Sequence, residues 1–138
     1  MILELEATPS EVMRAVEALQ EFGRATQIPE KALFGLALAL EESASNIVNY
    51  ALRGDPQQKF RLGIEHTGSA VTLELRDGGP EFDPTQARVV ERAAGDETHG
   101  GWGIQLVRHY IDEICYAREA GENVLRLTKK LEGATRQK

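Results

Sequence analysis

Glu42 and Asn46 are the first residues whose types and spacing suggest chemistry. They lie one helical turn apart in ALALEESASNIVNY, residues 37–50. At about 100° per residue, the surrounding apolar residues form one stripe and the polar pair falls on a second face. The stripe consists of Leu33, Leu36, Leu40, Ala44, Ile47 and Ala51. Most glutamates are simply exposed, but this second face is rich in Ala and Leu. A stacked carboxylate and amide there could hold a metal ion or position a hydroxyl group.

Asp77 is a further candidate because it is an acid in the apolar phase of a predicted strand. The valine and leucines of AVTLELRD, residues 70–77, define the inward side, and Asp77 falls in the same phase. A carboxylate on the covered side costs free energy unless it accepts hydrogen bonds. Gly78 and Gly79 follow at once, so the backbone can turn sharply and approach a ligand closely. An ordinary Asp-Gly turn is the competing interpretation.

Three glycines, Gly100, Gly101 and Gly103, directly precede a predicted helix in THGGWGIQLVRHYI. Glycines at a helix N-terminus expose backbone N–H groups, and the helix dipole favours an anion there. The segment lacks the Gly-Lys-Ser/Thr ending of a Walker A loop. It is not a Rossmann fingerprint either, because no strand leads directly into it. A flexible loop that ends in a helix remains the alternative.

Hydrophobic periodicity predicts the elements that must position these residues. The predicted order is β-α-α-β-β-loop-α-β-β, with most strands joined by hairpins. The strands are assigned to residues 2–7, 59–66, 70–77, 113–119 and 123–130, and the later helices to 30–52 and 103–111. This order predicts an α+β two-layer sandwich, in which helices cover one face of a mainly antiparallel mixed sheet.

Bulk composition narrows the class of protein. A chain of 138 residues that is 41% hydrophobic fits one domain, residues 1–138, with a substantial core. The formal net charge of −6 argues against nucleic acid as a direct partner, because phosphate binding requires a basic surface. One cysteine, no membrane-length apolar run and no basic N-terminal region favour a cytoplasmic protein without membrane attachment.

Taken in order, the three groups resemble one known superfamily. Glu-x-x-x-Asn on a helix, Asp-x-Gly after a strand and Gly-Gly-x-Gly before a helix resemble the nucleotide-binding fold of gyrase, Hsp90-type chaperones, MutL-type repair proteins and histidine kinases. Within it, the chain is most similar to small bacterial anti-sigma factors that are serine-protein kinases. EESASNIVNYAL, RDGGPEFDP and GGWGIQLVRHYIDEICY match that pattern in order and spacing.

The resemblance implies ATP and Mg²⁺ as ligands and a role for each side chain. Glu42 is implied as the general base and Asn46 as a Mg²⁺ ligand. Asp77 is implied to accept the exocyclic amine of adenine, with Thr128 supporting that contact. Gly79 is implied to give room for the base. Gly100, Gly101 and Gly103 are implied to end a mobile lid whose body is residues 88–99.

The function implied by the resemblance is partner switching. Such a kinase sequesters a sigma factor or sigma-like target, phosphorylates a serine on an anti-sigma-factor antagonist, and acts as a homodimer. Two alternatives stay open. The domain could hold nucleotide and sequester a partner without phosphoryl transfer, although Glu42 argues against that. It could also be a detached histidine-kinase catalytic domain, but the chain has no room for the dimerising helical hairpin that such a kinase requires.

Overall fold

A computed structural model of the chain describes residues 1–86 and 103–131. The elements in chain order are β1 (Ile2–Glu6), α1 (Pro9–Ala25), α2 (Glu30–Asn46), a π-helical turn (Ile47–Ala51), β2 (Lys59–His66), β3 (Ala70–Asp77), α3 (Gly103–Tyr110), β4 (Glu113–Glu119) and β5 (Glu122–Lys130). No helix in these two ranges is both long enough and apolar enough to cross a membrane.

The five strands form one sheet in the order β1-β2-β3-β5-β4. All four neighbouring pairs are antiparallel, so the part of the sheet that the structure describes has no parallel pair. The helices pack on one face of this sheet. The predicted α+β two-layer arrangement is therefore confirmed.

Strand alternation separates a core face from a charged face. Leu62, Leu73 and Leu127 point inward and are fully buried against the helices. The opposite face of the same strands carries ion pairs such as Arg76–Glu74 at 2.7 Å. Because only one face is apolar, the sheet needs helices on that side alone.

Local sequence signals fix where α1 begins. Thr8 has extended backbone and its hydroxyl accepts a hydrogen bond from the Glu11 N–H at 3.2 Å. Pro9 follows at the first helical position, where its missing N–H costs nothing. The Glu11 carboxylate reaches back beyond the cap, to the Glu6 N–H at 3.0 Å. The strand-to-helix corner is thereby closed.

The second helix ends differently from the sequence prediction. Residues 30–52 were predicted as one helix, but the α-helix ends at Asn46 and continues as the π-helical turn Ile47–Ala51. Single π turns within helices are found frequently at functional sites. Here the turn begins directly after Asn46.

Candidate functional site

A small cavity lies where the ends of β3 and β5 meet α2. Its lining includes Asn46, Asp77, Phe82, Tyr116 and Asn123. Asn46 and Asp77, which are 31 residues apart in the sequence, therefore share one wall. Asn46 is only 8% exposed, and its side chain makes no hydrogen bond to any residue within 1–86 or 103–131. Its amide is thus available to a ligand.

Asp77 is the last residue of β3 and points to the inward face, where it is 3% exposed. Its Oδ1 accepts hydrogen bonds from the Gly79 N–H at 2.9 Å and from Asn123 Nδ2 at 3.0 Å. Burial raises the pKa of this carboxyl group, whereas those two donors and the charge of Arg118 act in the opposite direction. Oδ2 has no hydrogen-bond partner among the residues that the structure describes.

Gly79 lies where no side chain fits. A Cβ on Gly79 would come within 2.6 Å of the Ala51 carbonyl oxygen and 3.1 Å of Asp77 Oδ1. That carbonyl belongs to the π-helical turn, so the turn and the Asp-Gly-Gly corner pack backbone to backbone. Arg118 holds the corner from the other side by donating to the Gly79 carbonyl at 2.8 Å.

Asn123, which the sequence interpretation missed, lies beside Asp77 on β5 and is 4% exposed. Its Nδ2 donates to Asp77 Oδ1 at 3.0 Å and to the Pro80 carbonyl at 2.9 Å. Its Oδ1 accepts from the Phe82 N–H at 2.9 Å and from the Tyr116 hydroxyl. One signal could have found it: Asn123 occupies the inward phase of its strand, as Asp77 does on β3.

Glu42 lies one turn before Asn46 on α2, half-buried, and α3 begins against it. A Cβ on Gly103 would come within 2.5 Å of Glu42 Oε2 and 3.1 Å of its Cδ. The two helices also meet at Gly35, where a Cβ would come within 2.8 Å of the Tyr110 ring. Glycines thus allow α3 to pack closely on α2. The first turn of α3, whose N–H groups have no partner within the helix itself, is held beside the Glu42 side chain.

Residues 5–129 match the family described as "Histidine kinase-like ATPase domain". The chain belongs to this family. Among the described residues, the match takes in α1 to α3 and β1 to β5, apart from the first residues of β1 and the last residue of β5. It therefore confirms the resemblance inferred from the three motif groups.

Within this family, the chain is similar to the serine/threonine-protein kinase BtrW of Bordetella bronchiseptica. The two are 31% identical over 128 residues, which is 91% of this chain and 90% of the relative. The alignment thus spans nearly the whole of this chain and of the relative.

Two solved structures share the fold. The crystal structure of the SiaB-SiaC complex from Pseudomonas aeruginosa matches with a TM-score of 0.69 and 17% identity, over 93% of this chain and 88% of that chain. The RsbU and RsbW domains of a Mycobacterium tuberculosis protein match with a TM-score of 0.62 and 18% identity, over 95% of this chain and 32% of that chain. At these identities the matches establish the architecture alone.

Thr128 is not brought to the cavity. It pairs with Thr72, and the two hydroxyl oxygens are 3.4 Å apart. Residues 123 and 128 are separated by an odd number of positions on β5, so their side chains lie on opposite faces of the sheet. The predicted contact of Thr128 with the base therefore does not fit this geometry, and Asn123 occupies the place beside Asp77 instead.

Of the four glycines predicted to belong to the site, two lie within the described residues and two lie outside them. Gly79 and Gly103 lie at the positions given above. Gly100 and Gly101, together with the predicted lid at residues 88–99, lie outside the described residues.

Proposed function

We propose that this member of the family is an ATP-dependent serine-protein kinase whose ATP site is the Asp77 cavity. The observation that carries the proposal is the convergence of an inward carboxylate, Asp77, and an uncommitted amide, Asn46, on one cavity. Glu42 lies one helical turn beyond that amide. The similarity to a relative named as a serine/threonine-protein kinase, over nine-tenths of both chains, supports the same assignment.

The residues that line the cavity suit an adenine base. Asp77 Oδ2 can accept a hydrogen bond from the 6-amino group of adenine. Apolar and aromatic side chains, including Leu75, Phe82 and Tyr116, line the remaining walls. A mostly apolar cavity with a few directed polar groups is typical of nucleotide-base sites.

The phosphates would extend from the cavity towards the start of α3. Asn46 and Glu42 lie one turn apart on α2, and the first residue of α3, Gly103, packs against Glu42, so the N-terminus of α3 is near. Phosphoryl transfer depends mainly on positioning and charge stabilisation, so oriented donors at this place serve the reaction directly.

Glu42 is the proposed general base. A serine hydroxyl loses its proton as it attacks the γ-phosphorus, and a carboxylate within hydrogen-bond reach accepts that proton. Glu42 is the carboxylate next to both Asn46 and the α3 N-terminus. The glycine at position 103 leaves it room, since any larger residue would displace it.

Mg²⁺ fits the donors that are present. No group of three or more His, Cys, Asp or Glu side chains within residues 1–86 and 103–131 could hold a metal ion by itself. Mg²⁺ in nucleotide sites keeps several waters and takes most other ligands from the phosphates, so one amide oxygen from Asn46 is sufficient protein ligation. When bound, the ion would neutralise charge on the phosphates during transfer.

The proposed biological role is partner switching by protein contacts. The kinase would sequester a sigma factor or sigma-like target, and its substrate would be a serine on an antagonist protein. A homodimer is part of this proposal. One of the solved structures of the same fold is named as a two-protein complex, SiaB-SiaC, which is consistent with a fold that binds protein partners.

The test is phosphoryl transfer to proteins captured from an extract of the source cells. The purified chain is used as bait, γ-labelled Mg·ATP is added to the captured proteins, and the labelled amino acid is identified. We expect phosphoserine on a small captured protein, and loss of the label with Glu42→Gln. Glu41→Gln is the matched control, because Glu41 is the exposed neighbour on the same helix.

Nucleotide binding by the variants must be measured in parallel. Glu42→Gln should still bind Mg·ATP, since the proposed contacts to base and metal come from Asp77 and Asn46. Wild-type protein that binds Mg·ATP and captures partners without forming phosphoserine would contradict the kinase and favour the binding-module alternative. Equal labelling by Glu42→Gln and wild type would contradict the role of Glu42.

A further inference from the structure

We propose that Asn123 is the positioning residue that makes the site selective for a 6-amino purine, by locking the Asp77 carboxylate in one orientation. The inference rests on the proposed ATP site. It concerns a residue on β5, a strand to which none of the three motif groups belongs.

The two oxygens of the Asp77 carboxylate differ in their hydrogen bonds, and this difference fixes the orientation of the group. Both hydrogen bonds that the carboxylate accepts within the described ranges end on Oδ1, one from the Gly79 N–H and one from Asn123 Nδ2. Rotation of the carboxylate would break both bonds and leave buried donors unpaired, which is unfavourable in a site closed to water. Oδ2 is therefore the oxygen that faces a bound base.

Asn123 acts through Asp77 and does not itself contact the base. Its two N–H groups are taken by Asp77 Oδ1 and the Pro80 carbonyl, and its oxygen accepts from the Phe82 N–H and the Tyr116 hydroxyl. An amide has two donors and an acceptor oxygen with two lone pairs, so all four positions are filled. No hydrogen-bonding capacity remains for a ligand.

The same network fixes which way the amide points. A flipped Asn123 would place its oxygen against the Asp77 carboxylate and the Pro80 carbonyl, both of which are acceptors. Its NH₂ group would then face the Phe82 N–H, which is a donor. The observed orientation is therefore the one that the neighbours permit. The group next to Asp77 is a donor, and it favours the ionised carboxylate against the effect of burial.

Selectivity follows from the chemistry of position 6 of the purine. An ionised carboxylate oxygen accepts a hydrogen bond from a 6-amino group, but it faces another acceptor when the purine carries a 6-oxo group. Buried polar groups left unpaired in this way discriminate strongly between ligands. A carboxyl group that is free to rotate or to become protonated can donate to the 6-oxo group, and the discrimination is then lost.

The test compares Mg·ATP with Mg·ITP, which differs by a 6-oxo group in place of the amine. Dissociation constants for both are measured by calorimetry on the wild-type chain and on Asn123→Asp. This variant keeps the shape of Asn123 and replaces the donor with an acceptor that repels Asp77. We expect wild type to prefer ATP by about tenfold or more, and the variant to reduce that ratio by about tenfold, mainly through weaker ATP binding.

Two further variants separate positioning from a purely structural role. Asn49→Asp makes the same chemical change at an exposed position of the π-helical turn and should leave the ratio unchanged. Asn123→Ala removes the donor without adding charge, and serves if Asn123→Asp does not fold. It should also lower the ratio of ATP to ITP affinity.

Equal losses of ATP and ITP affinity in both Asn123 variants would overturn the inference, because a general structural defect weakens both ligands alike. A wild-type chain that binds ATP and ITP equally would overturn it as well. Failure of wild type to bind any nucleotide is a different result, because it would contradict the proposed function itself.

Discussion

Gly103, at the start of α3, leaves no room for a side chain beside the carboxylate of Glu42 on α2. A methyl group at that position would come within 2.5 Å of Glu42 Oε2. Real Cβ atoms do not make such contacts, so any side chain at position 103 must displace the carboxylate. The glycine that ends the motif before α3 is therefore linked physically to the proposed base.

Replacing Gly103 with alanine should impair phosphoryl transfer more than nucleotide binding. Alanine is favoured over glycine in helices by about 1 kcal/mol, so helix propensity gives no reason for unfolding. The displaced Glu42 carboxylate should lower kcat by about tenfold or more, because catalytic groups must be held accurately. The Kd for Mg·ATP should change by less than about threefold, equivalent to roughly 0.6 kcal/mol.

Gly68→Ala is the control for this substitution, because a Cβ there meets nothing within 4 Å. It should leave kcat unchanged. A Gly103→Ala protein with wild-type kcat would show that the contact between positions 103 and 42 has no bearing on transfer.

Alanine should destabilise the chain at Gly79 but not at the adjacent Gly78, although both glycines lie in the corner that follows β3. Gly79→Ala forces a Cβ to 2.6 Å from the Ala51 carbonyl, a backbone atom that cannot rotate away, whereas a Cβ on Gly78 meets nothing within 4 Å. We expect Gly79→Ala to lose about 1–3 kcal/mol of unfolding free energy and to bind ATP poorly. Gly78→Ala should match wild type in denaturant unfolding and in ATP titration. Similar behaviour of the two variants would contradict the packing described for this corner.

Thr128→Val should leave ATP affinity within about twofold of wild type, or roughly 0.4 kcal/mol. The side chain faces Thr72 on the sheet surface opposite the cavity, so its hydroxyl has no route to the base. The measurement is titration calorimetry with Mg·ATP. A large loss of affinity would mean that Thr128 reaches the nucleotide after all.

The buried carboxylate of Asp77 should make the chain less stable at neutral pH than an amide would. Its folded-state pKa is raised by burial, whereas in the unfolded chain it lies near the ordinary aspartate value of about 3.9. A raised carboxyl pKa means that the folded form loses stability as pH rises through that pKa. Asp77→Asn has no such titration. The unfolding free energy of the variant minus that of wild type should therefore increase as pH rises from about 4, and should become constant above the raised pKa.

Chemical denaturation at several pH values between about 4 and 7 measures that difference. A constant difference between wild type and Asp77→Asn across the range would show that Asp77 has the same pKa folded and unfolded. A difference that grows on acidification would mean that folding lowers the pKa of Asp77, which is opposite to the effect of burial.

The sequence predicted the fold well because its signals are local. The Thr8 cap, the alternation in β2 and β3, and the apolar stripe of α2 each depend on residues within one or two turns. The end of α2 was not predicted correctly, because the π-helical turn adds a residue per turn without an obvious mark in the apolar pattern. Tertiary packing of Ala51 on Gly79 accompanies that turn.

Site residues were predicted correctly where a polar side chain interrupts the apolar alternation of a single strand. They were missed where their position depends on the pairing register between two strands. Asp77 was found in the inward phase of β3 by counting along one strand. The inward phase of β5 could have marked Asn123 as a polar residue on the core side, but its place beside Asp77 depends on the register of β5 with β3, which cannot be read from either strand alone. Thr128 was assigned by analogy of position, and strand alternation places it on the other face.

Titration calorimetry of Mg·ATP into the wild-type chain and into Asp77→Asn tests the central claim most directly. The claim is that the cavity at the end of β3 is the nucleotide site and that Asp77 receives the adenine amine. We expect a saturable heat of binding for wild type and a loss of affinity of about tenfold or more for the variant, since an amide nitrogen or oxygen cannot replace a charged acceptor. Both proteins should give the same circular dichroism. Equal affinity of the two proteins for ATP, or no binding by wild type, would contradict the account.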